Sequence, residues 1–123
     1  MILVDTSIWV AHLRSYNRVL ASLLDGGAVL IHPFVIGELS LGSLRQRDVV
    51  LGLLLELPKV NVAAESEFLR FVGDNRLFGM GIGYVDAHLV AAVRLTPGSS
   101  LWTQDKRLAR VADKFGVGAE LRG

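Results

Sequence analysis

The sequence predicts an α/β fold of three layers, α/β/α, in which helices cover both faces of a central parallel sheet. Short, mainly apolar segments alternate with longer segments of helical periodicity, and this alternation is typical of parallel sheets. The first apolar segment, residues 1–4, leads directly into Asp5, residues 28–31 form a second apolar segment, and residues 100–103 are predicted to form a further strand. Segments so short and apolar indicate strands buried on both faces. The chain of 123 residues has the usual size of one domain, so we expect a single domain over residues 1–123.

Helices are predicted between these strands from the spacing of apolar residues. We expect Thr6 or Ser7 to cap the first helix, because a hydroxyl there accepts hydrogen bonds from free N–H groups of the first turn. Gly26 and Gly27 end the second helix, since glycine commonly follows a helix. Two weaker strands are predicted at residues 60–62 and 116–118. The predicted helices start near residue 8 and then span residues 16–24, 33–44, 49–57, 64–78, 84–95 and 106–115.

The composition and the lengths of the apolar segments exclude several classes of protein. The chain has no cysteine, which excludes disulfides and thiolate metal sites and fits a reducing cytoplasm. No apolar segment reaches the roughly 18 residues needed to cross a bilayer. The N-terminus lacks a basic region and places Asp5 in its apolar stretch, unlike a secretory signal. We therefore expect a cytoplasmic protein without a membrane segment, and the apolar content of 51% leaves surface for a protein partner.

Four acidic residues stand where a parallel sheet would bring them together. Asp5 and Asp105 follow predicted strands, and ligands of open α/β sheets bind at the carboxyl ends of the strands. Asp86 lies in the first turn of a predicted helix, on the side of its apolar residues. Glu38 lies inside a helix and borders its apolar stripe. The candidate site therefore consists of Asp5, Glu38, Asp86 and Asp105.

Each of these acids, taken alone, has a simpler explanation. Asp5 and Asp105 are suitable helix caps, and Asp86 would complement the dipole of its helix. A lone glutamate such as Glu38 is usually solvated. The functional interpretation depends on all four acids together.

Four carboxylates in one place repel one another unless some are protonated or a cation lies between them. An all-oxygen site prefers Mg²⁺ or Mn²⁺ to Zn²⁺. Such ions activate water and stabilise charge on a phosphate, so hydrolysis of phosphodiesters is the expected chemistry. With these four of the 12 acids set apart, 13 basic residues face eight acids, and such a basic rim suits a polyanionic substrate.

Four segments, in order along the chain, resemble the PIN-domain ribonucleases. They are Val4-Asp5-Thr6-Ser7, Glu38, residues 83–89 (GYVDAHL) and residues 102–108 (WTQDKRL). The length and the Lys106-Arg107-Leu108 ending resemble most the VapC toxins of toxin–antitoxin modules. The resemblance covers almost the whole chain, and its specificity comes from the order and spacing of the segments rather than from any one of them.

The resemblance implies a parallel sheet with helices on both sides and Mg²⁺- or Mn²⁺-dependent endonucleolytic cleavage of RNA. It implies that Asp5, Glu38, Asp86 and Asp105 bind the metal. Thr6 and Thr103 would be hydroxyl residues that orient the carboxylates.

The resemblance also implies partners. These are a VapB-type antitoxin that covers the active site, a second copy of the chain in a homodimer, and larger toxin–antitoxin assemblies. The implied substrate is a structured RNA such as transfer or ribosomal RNA, whose loops can enter a cleft. Ordinary surface charge is the alternative for each candidate phosphate contact. These candidates are foremost Arg14, Arg45, Lys106 and Arg107, followed by Arg18, Arg47 and Arg110.

Two other functions are alternatives. One is a PIN-like module that holds RNA or protein without cutting it, although the complete acid set argues against this. A phosphoacceptor domain of the receiver type needs an aspartate after its third strand, where this chain has Glu65 and Glu67 on a helix. We expect Trp9 and Trp102 to be core residues, and the three histidines to have structural roles.

Overall fold

A computed structural model of the chain describes residues 1–121, and its centre is a parallel sheet with the strand order β2-β1-β3. The strands are β1 (Ile2–Val4), β2 (Val29–Leu30) and β3 (Ser100–Trp102). In the register of the sheet, Ile2 is paired with Val29 on one side and Ser100 on the other. The central position of β1 explains its apolar sequence, because a strand with neighbours on both sides and helices above and below has no face in water.

Seven helices flank the sheet in the described residues, and the predicted α/β fold is confirmed. Every predicted helix is present, with ends that differ by a few residues. The helices are α1 (Thr6–Arg14), α2 (Arg18–Asp25), α3 (Pro33–Ser40), α4 (Arg47–Glu56), α5 (Glu65–Asp74), α6 (Tyr84–Leu95) and α7 (Lys106–Lys114).

The predicted cap of α1 was wrong. Asp5 is the N-cap residue, and its carboxylate accepts a hydrogen bond from the backbone N–H of Ser7. Aspartate, serine and threonine all suit this position, so composition alone does not choose among them. Asp5 takes the N-cap position because β1 ends at Val4 and α1 begins at Thr6, so that Asp5 is the residue between them.

The two weaker predicted strands are reduced to single bridges. Lys59 pairs with Ile31 and Gly118 pairs with Leu101, both in parallel. Asn61 leaves the sheet because its backbone N–H and its side-chain amide donate to Thr96 Oγ1 and the Leu95 carbonyl, at 2.9 and 2.7 Å. The segment is thereby turned towards the end of α6 instead of continuing along β2.

Two helices end earlier than predicted, for local reasons. The α3 helix stops at Ser40, whose hydroxyl donates to the Gly37 carbonyl at 2.6 Å. The α5 helix stops at Asp74, because Arg76 adopts a positive φ of 54° and the Leu77 N–H returns to the Val72 carbonyl. This is a common way to close the last turn of a helix.

The core lies around α6, which is buried at seven consecutive positions from Ala87 to Val93. Trp9 and Trp102 are 5% and 8% exposed, so the prediction that they are core residues is confirmed. In the part of the chain that is described, every helix is too short or too polar to span a membrane.

We expect Leu3→Ala to lower the free energy of unfolding by about 3 kcal/mol, because Leu3 is fully buried in the central strand. The matched control is Leu53→Ala, since Leu53 is 61% exposed and its loss should change stability by less than about 0.5 kcal/mol. Urea unfolding of both variants provides the measurement. Equal effects of the two substitutions would contradict the central position of β1.

Candidate active site

Asp5 lies at the carboxyl end of β1 and is 3% exposed. Its Oδ1 atom accepts hydrogen bonds from the Ser7 backbone N–H and from Ser7 Oγ, the latter at 2.6 Å. Its Oδ2 atom accepts a hydrogen bond from Thr103 Oγ1. A buried carboxylate with donors on both oxygens has little freedom to rotate, so Asp5 is held in one orientation.

The same two hydroxyls connect Asp5 to the loop between β3 and α7. Thr103 Oγ1 accepts from the Asp105 N–H at 3.0 Å, and Ser7 Oγ accepts from the Gln104 N–H at 3.1 Å. Asp105 in turn caps α7, because its Oδ1 accepts from the Leu108 N–H at 2.9 Å. The position of Asp105 is therefore tied to that of Asp5 through Thr103.

Glu38 reaches the site from the exposed side of α3. Its Oε1 accepts a hydrogen bond from Thr6 Oγ1 at 2.6 Å. Thr6 follows Asp5 directly, so this contact places the Glu38 carboxylate beside the end of β1. Both threonines singled out in the sequence thus donate to a carboxylate of the candidate set.

Asp86 has a pKa raised to about 6. Burial is the largest cause, followed by repulsion from Asp5, Asp105 and Glu38. A helix dipole alone would lower the pKa of an acid in the first turn, so repulsion and burial outweigh it here. Asp5, Glu38 and Asp105 are therefore each close enough to Asp86 to act on its carboxyl group.

The donor set fits a hard divalent cation, because it consists of carboxylates whose mutual repulsion a cation would relieve. As the side chains are placed, no three Asp, Glu or His residues within residues 1–121 lie close enough together to hold one ion. Asp5, Glu38 and Asp105 are instead directed at hydroxyl and backbone donors. The exposed acids Glu38 and Asp105 have the freedom to exchange these donors for a cation.

Two clefts extend from the acids in different directions. The first, of about 710 Å³, is lined by Glu38 together with Arg14 and Arg45. The second, of about 410 Å³, is lined by two acids and three basic residues: Asp86, Asp105, Lys106, Arg107 and Arg110. Each of the four foremost phosphate-contact candidates therefore borders a cleft that contains an acid.

Arg18 and Arg47 border neither cleft. Arg47 Nη2 donates to the Ser40 carbonyl at 3.2 Å, and its Nη1 lies 4.0 Å from Asp48 Oδ1. These contacts give Arg47 a role at the start of α4, away from the acids.

The histidines have structural contacts. His12 Nδ1 accepts from the Asn17 N–H at 3.0 Å, and His32 Nδ1 accepts from the Phe34 N–H at 2.9 Å and caps α3. Burial, followed by the proximity of His88, lowers the pKa of His32 to about 4. His88 is 3% exposed and its ring stacks on that of Phe68 at 3.8 Å between centroids. Burial lowers the pKa of His88 as well, so both histidines are neutral near pH 7.

Sequence reasoning missed the role of Ser7, whose hydroxyl joins Asp5 to Gln104. A signal was present, because a serine two residues after an aspartate is typical of a capped helix start. It also missed a contact between Arg107 Nη1 and the Gly81 carbonyl, at 2.9 Å. No sequence signal indicates that contact, since the two residues lie on separate elements.

We expect Asp86→Asn to stabilise the metal-free protein by about 1 kcal/mol at pH 7 to 8, after allowance for solvent screening of this half-buried group. The pKa of about 6 in the folded protein exceeds the ordinary value of 3.8, so the wild type loses stability as pH rises between these values. The stabilisation by Asp86→Asn should therefore vanish near pH 4. Thermal unfolding in EDTA across this pH range provides the measurement.

Asp48→Asn is the matched control, because Asp48 also lies in the first turn of a helix but is fully exposed. Loss of its favourable interaction with the helix dipole should leave stability unchanged or slightly lower. If Asp86→Asn behaved in the same way as Asp48→Asn, the crowding of four carboxylates would be contradicted.

Known proteins are similar to this chain in sequence. The model of the PIN domain family matches residues 2–114 of the chain. Two relatives, each named Ribonuclease VapC32, come from Mycobacterium tuberculosis strains CDC 1551 / Oshkosh and ATCC 25618 / H37Rv. Each is 50% identical over 117 residues, which cover 95% of this chain and 94% of the relative. The chain belongs to the PIN-domain family.

Proposed function

We propose that this protein is an endoribonuclease and the toxin component of a type II toxin–antitoxin module. The observation that carries the proposal is the gathering of acids at the end of β1: Thr6 holds Glu38 beside Asp5, and Thr103 connects Asp5 to Asp105. Burial and repulsion from these three carboxylates raise the pKa of Asp86. Membership of the PIN-domain family and a sequence identity of 50% to relatives named Ribonuclease VapC32 support the same conclusion.

PIN-domain ribonucleases generally depend on divalent metal ions. We propose that Asp5, Glu38, Asp86 and Asp105 hold Mg²⁺ or Mn²⁺ in this protein. A divalent ion bound there would supply an activated water molecule and stabilise negative charge on the phosphate. Thr6, Ser7 and Thr103 orient the carboxylates, since each donates a hydrogen bond to Asp5 or Glu38.

The two clefts give the substrate a path across the acids. Arg14 and Arg45 lie on the side of Glu38, whereas Lys106 and Arg110 lie on the side of Asp86 and Asp105. Cations on both sides of an acidic centre hold the phosphates that flank the cleaved bond. Both clefts are open, so a single-stranded loop of a structured RNA, such as transfer or ribosomal RNA, is the proposed substrate.

We further propose that a VapB-type antitoxin binds this protein in the cytoplasm and that the toxin forms a homodimer and larger toxin–antitoxin assemblies. Exposed apolar residues support protein partners, because Leu53 and Leu55 of α4 are 61% and 56% exposed. Leu53 lines an apolar groove of about 490 Å³ between α1, α2 and α4, together with residues such as Trp9 and Leu24. Apolar surface of this kind is typical of protein interfaces.

A non-catalytic PIN-like module that binds RNA or protein is the second candidate. It is favoured by one observation, namely that no three acids within residues 1–121 are placed to hold one ion. The two candidates differ in whether RNA is cut, so a cleavage assay decides between them.

Asp5→Asn should abolish cleavage of RNA in Mg²⁺ and growth arrest on expression, because the amide removes a negative charge from the site. The fold should persist, since the amide can still bond to the hydroxyls of Ser7 and Thr103. Cleavage of total cellular RNA and circular dichroism provide the measurements. Asp74→Asn is the control, as Asp74 is exposed at the end of α5 and should retain full activity.

Full cleavage by Asp5→Asn would refute the proposed mechanism. Absence of cleavage by the wild type in Mg²⁺ and in Mn²⁺ would favour the non-catalytic module. EDTA should abolish cleavage by the wild type, and added Mn²⁺ should restore it.

A further inference from the structure

Arg107 contacts the segment that precedes α6. Its Nη1 atom donates a hydrogen bond to the Gly81 carbonyl at 2.9 Å. Arg107 lies in the first turn of α7, two residues after Asp105, and Gly81 lies five residues before Asp86. The contact therefore joins the two segments that carry Asp86 and Asp105.

The backbone at Gly81 lies very close to the guanidinium group of Arg107. Gly81 has a φ of +78°, and a Cβ atom there would lie 2.8 Å from Arg107 Nη1 and 3.3 Å from Cζ. Gly79 has a similar φ of +74°, yet a Cβ atom there would meet nothing within 4 Å. The two glycines share a conformation that other residues rarely adopt, but close approach to Arg107 is particular to Gly81.

Apart from the apolar packing of Met80 and Ile82 against the core, the start of α6 has few polar restraints. Its N-cap residue is Gly83, which has no side chain to cap the helix. The nearby Met80 N–H reaches the Leu77 carbonyl at a long distance of 3.4 Å. By contrast, the start of α7 is fixed by the Asp105 side chain. Within residues 1–121, the charge-assisted bond from Arg107 is the one side-chain hydrogen bond to residues 79–83, and it attaches them to α7.

We propose that Arg107 is a positioning residue, which holds residues 79–83 against α7 and thereby sets the separation of the Asp86 and Asp105 carboxylates. The proposal rests on the proposed function, since that separation matters if both acids hold the same cation. Groups that orient metal ligands typically affect metal affinity about tenfold or more.

This role differs from that of the other cations in the cleft. Lys106 and Arg110 line the same cleft as Arg107, together with Asp86 and Asp105. A cation that contacts an RNA phosphate changes RNA affinity and its dependence on salt. A positioning residue changes metal affinity even when RNA is absent.

The first test is a calorimetric titration of metal-free protein with Mn²⁺ alone. Arg107→Ala should bind Mn²⁺ about tenfold more weakly than the wild type. Gly81→Ala should show a similar loss, because its Cβ displaces the guanidinium group. Gly79→Ala is the matched control, since it has the same backbone strain without the clash, and it should bind within about twofold of the wild type. Circular dichroism checks that each variant is folded.

The double variant Gly81→Ala/Arg107→Ala should bind Mn²⁺ no more weakly than Arg107→Ala, because both substitutions remove the same contact between Arg107 and Gly81. Additive losses would contradict the proposal. Arg107→Lys keeps a cationic donor and should recover part of the affinity.

The second test is RNA cleavage at several salt concentrations. Arg107→Ala should lower kcat and leave the salt dependence of KM unchanged. Lys106→Ala should instead reduce the slope of log KM against log salt by about 0.7, the value for one phosphate contact on a single strand. The proposal is overturned if Arg107→Ala binds Mn²⁺ within twofold of the wild type, whether or not it reduces the slope as Lys106→Ala does.

The two proposals fail in different ways. If the wild type binds Mn²⁺ and Arg107→Ala weakens that binding, but no RNA is cut, only the proposed function is wrong. If the wild type cuts RNA and Arg107→Ala binds Mn²⁺ normally, only the positioning role is wrong. If the wild type binds no Mn²⁺, the positioning role is overturned, and the cleavage assay in Mg²⁺ still decides the proposed function.

Discussion

The hydrogen bonds that Ser7 and Thr103 donate to the buried Asp5 carboxylate are the interactions on which the rest of the site depends. A carboxylate that is 3% exposed needs such donors, because burial without them is strongly unfavourable. They also fix the geometry: Ser7 lies on α1, Thr103 follows β3, and the same hydroxyls accept from Gln104 and Asp105. One buried group thus caps a helix, ends the central strand and holds the loop of a second acid.

The cluster of carboxylates lowers the stability of the folded protein. Asp86 is half-buried near three other carboxylates, and its pKa is raised to about 6, so it is ionised at neutral pH at a cost to folding. Stabilising contacts nearby offset this cost, among them the buried stretch of α6 from Ala87 to Val93. Such a conflict between stability and local charge is typical of functional sites, where a bound ligand resolves it.

Much of the fold could be predicted because its signals are local. Apolar segments identified the three strands, and the rule that parallel strands share one carboxyl edge placed Asp5 and Asp105 together. Contacts between distant segments could not be predicted. The family resemblance implied that Thr103 orients a carboxylate, but its partner Asp5 lies 98 residues away and no local pattern identifies it. The contact of Arg107 with Gly81, across 26 residues, has no sequence signal at all. The false strand at residues 60–62 has the same origin, since Asn61 is drawn away by Leu95 and Thr96 on a distant helix.

The most direct test of the site is a crystal of this protein soaked in Mn²⁺, with an anomalous difference map. The gathering of acids predicts a strong peak bounded by the carboxylates of Asp5, Asp86 and Asp105, with metal–oxygen distances of about 2.1 Å, as for a small hard cation. A Glu38 side chain turned from Thr6 towards the peak would agree with the freedom of that exposed residue. No peak at millimolar Mn²⁺, or a peak only at other residues, would contradict a metal centre at the end of β1.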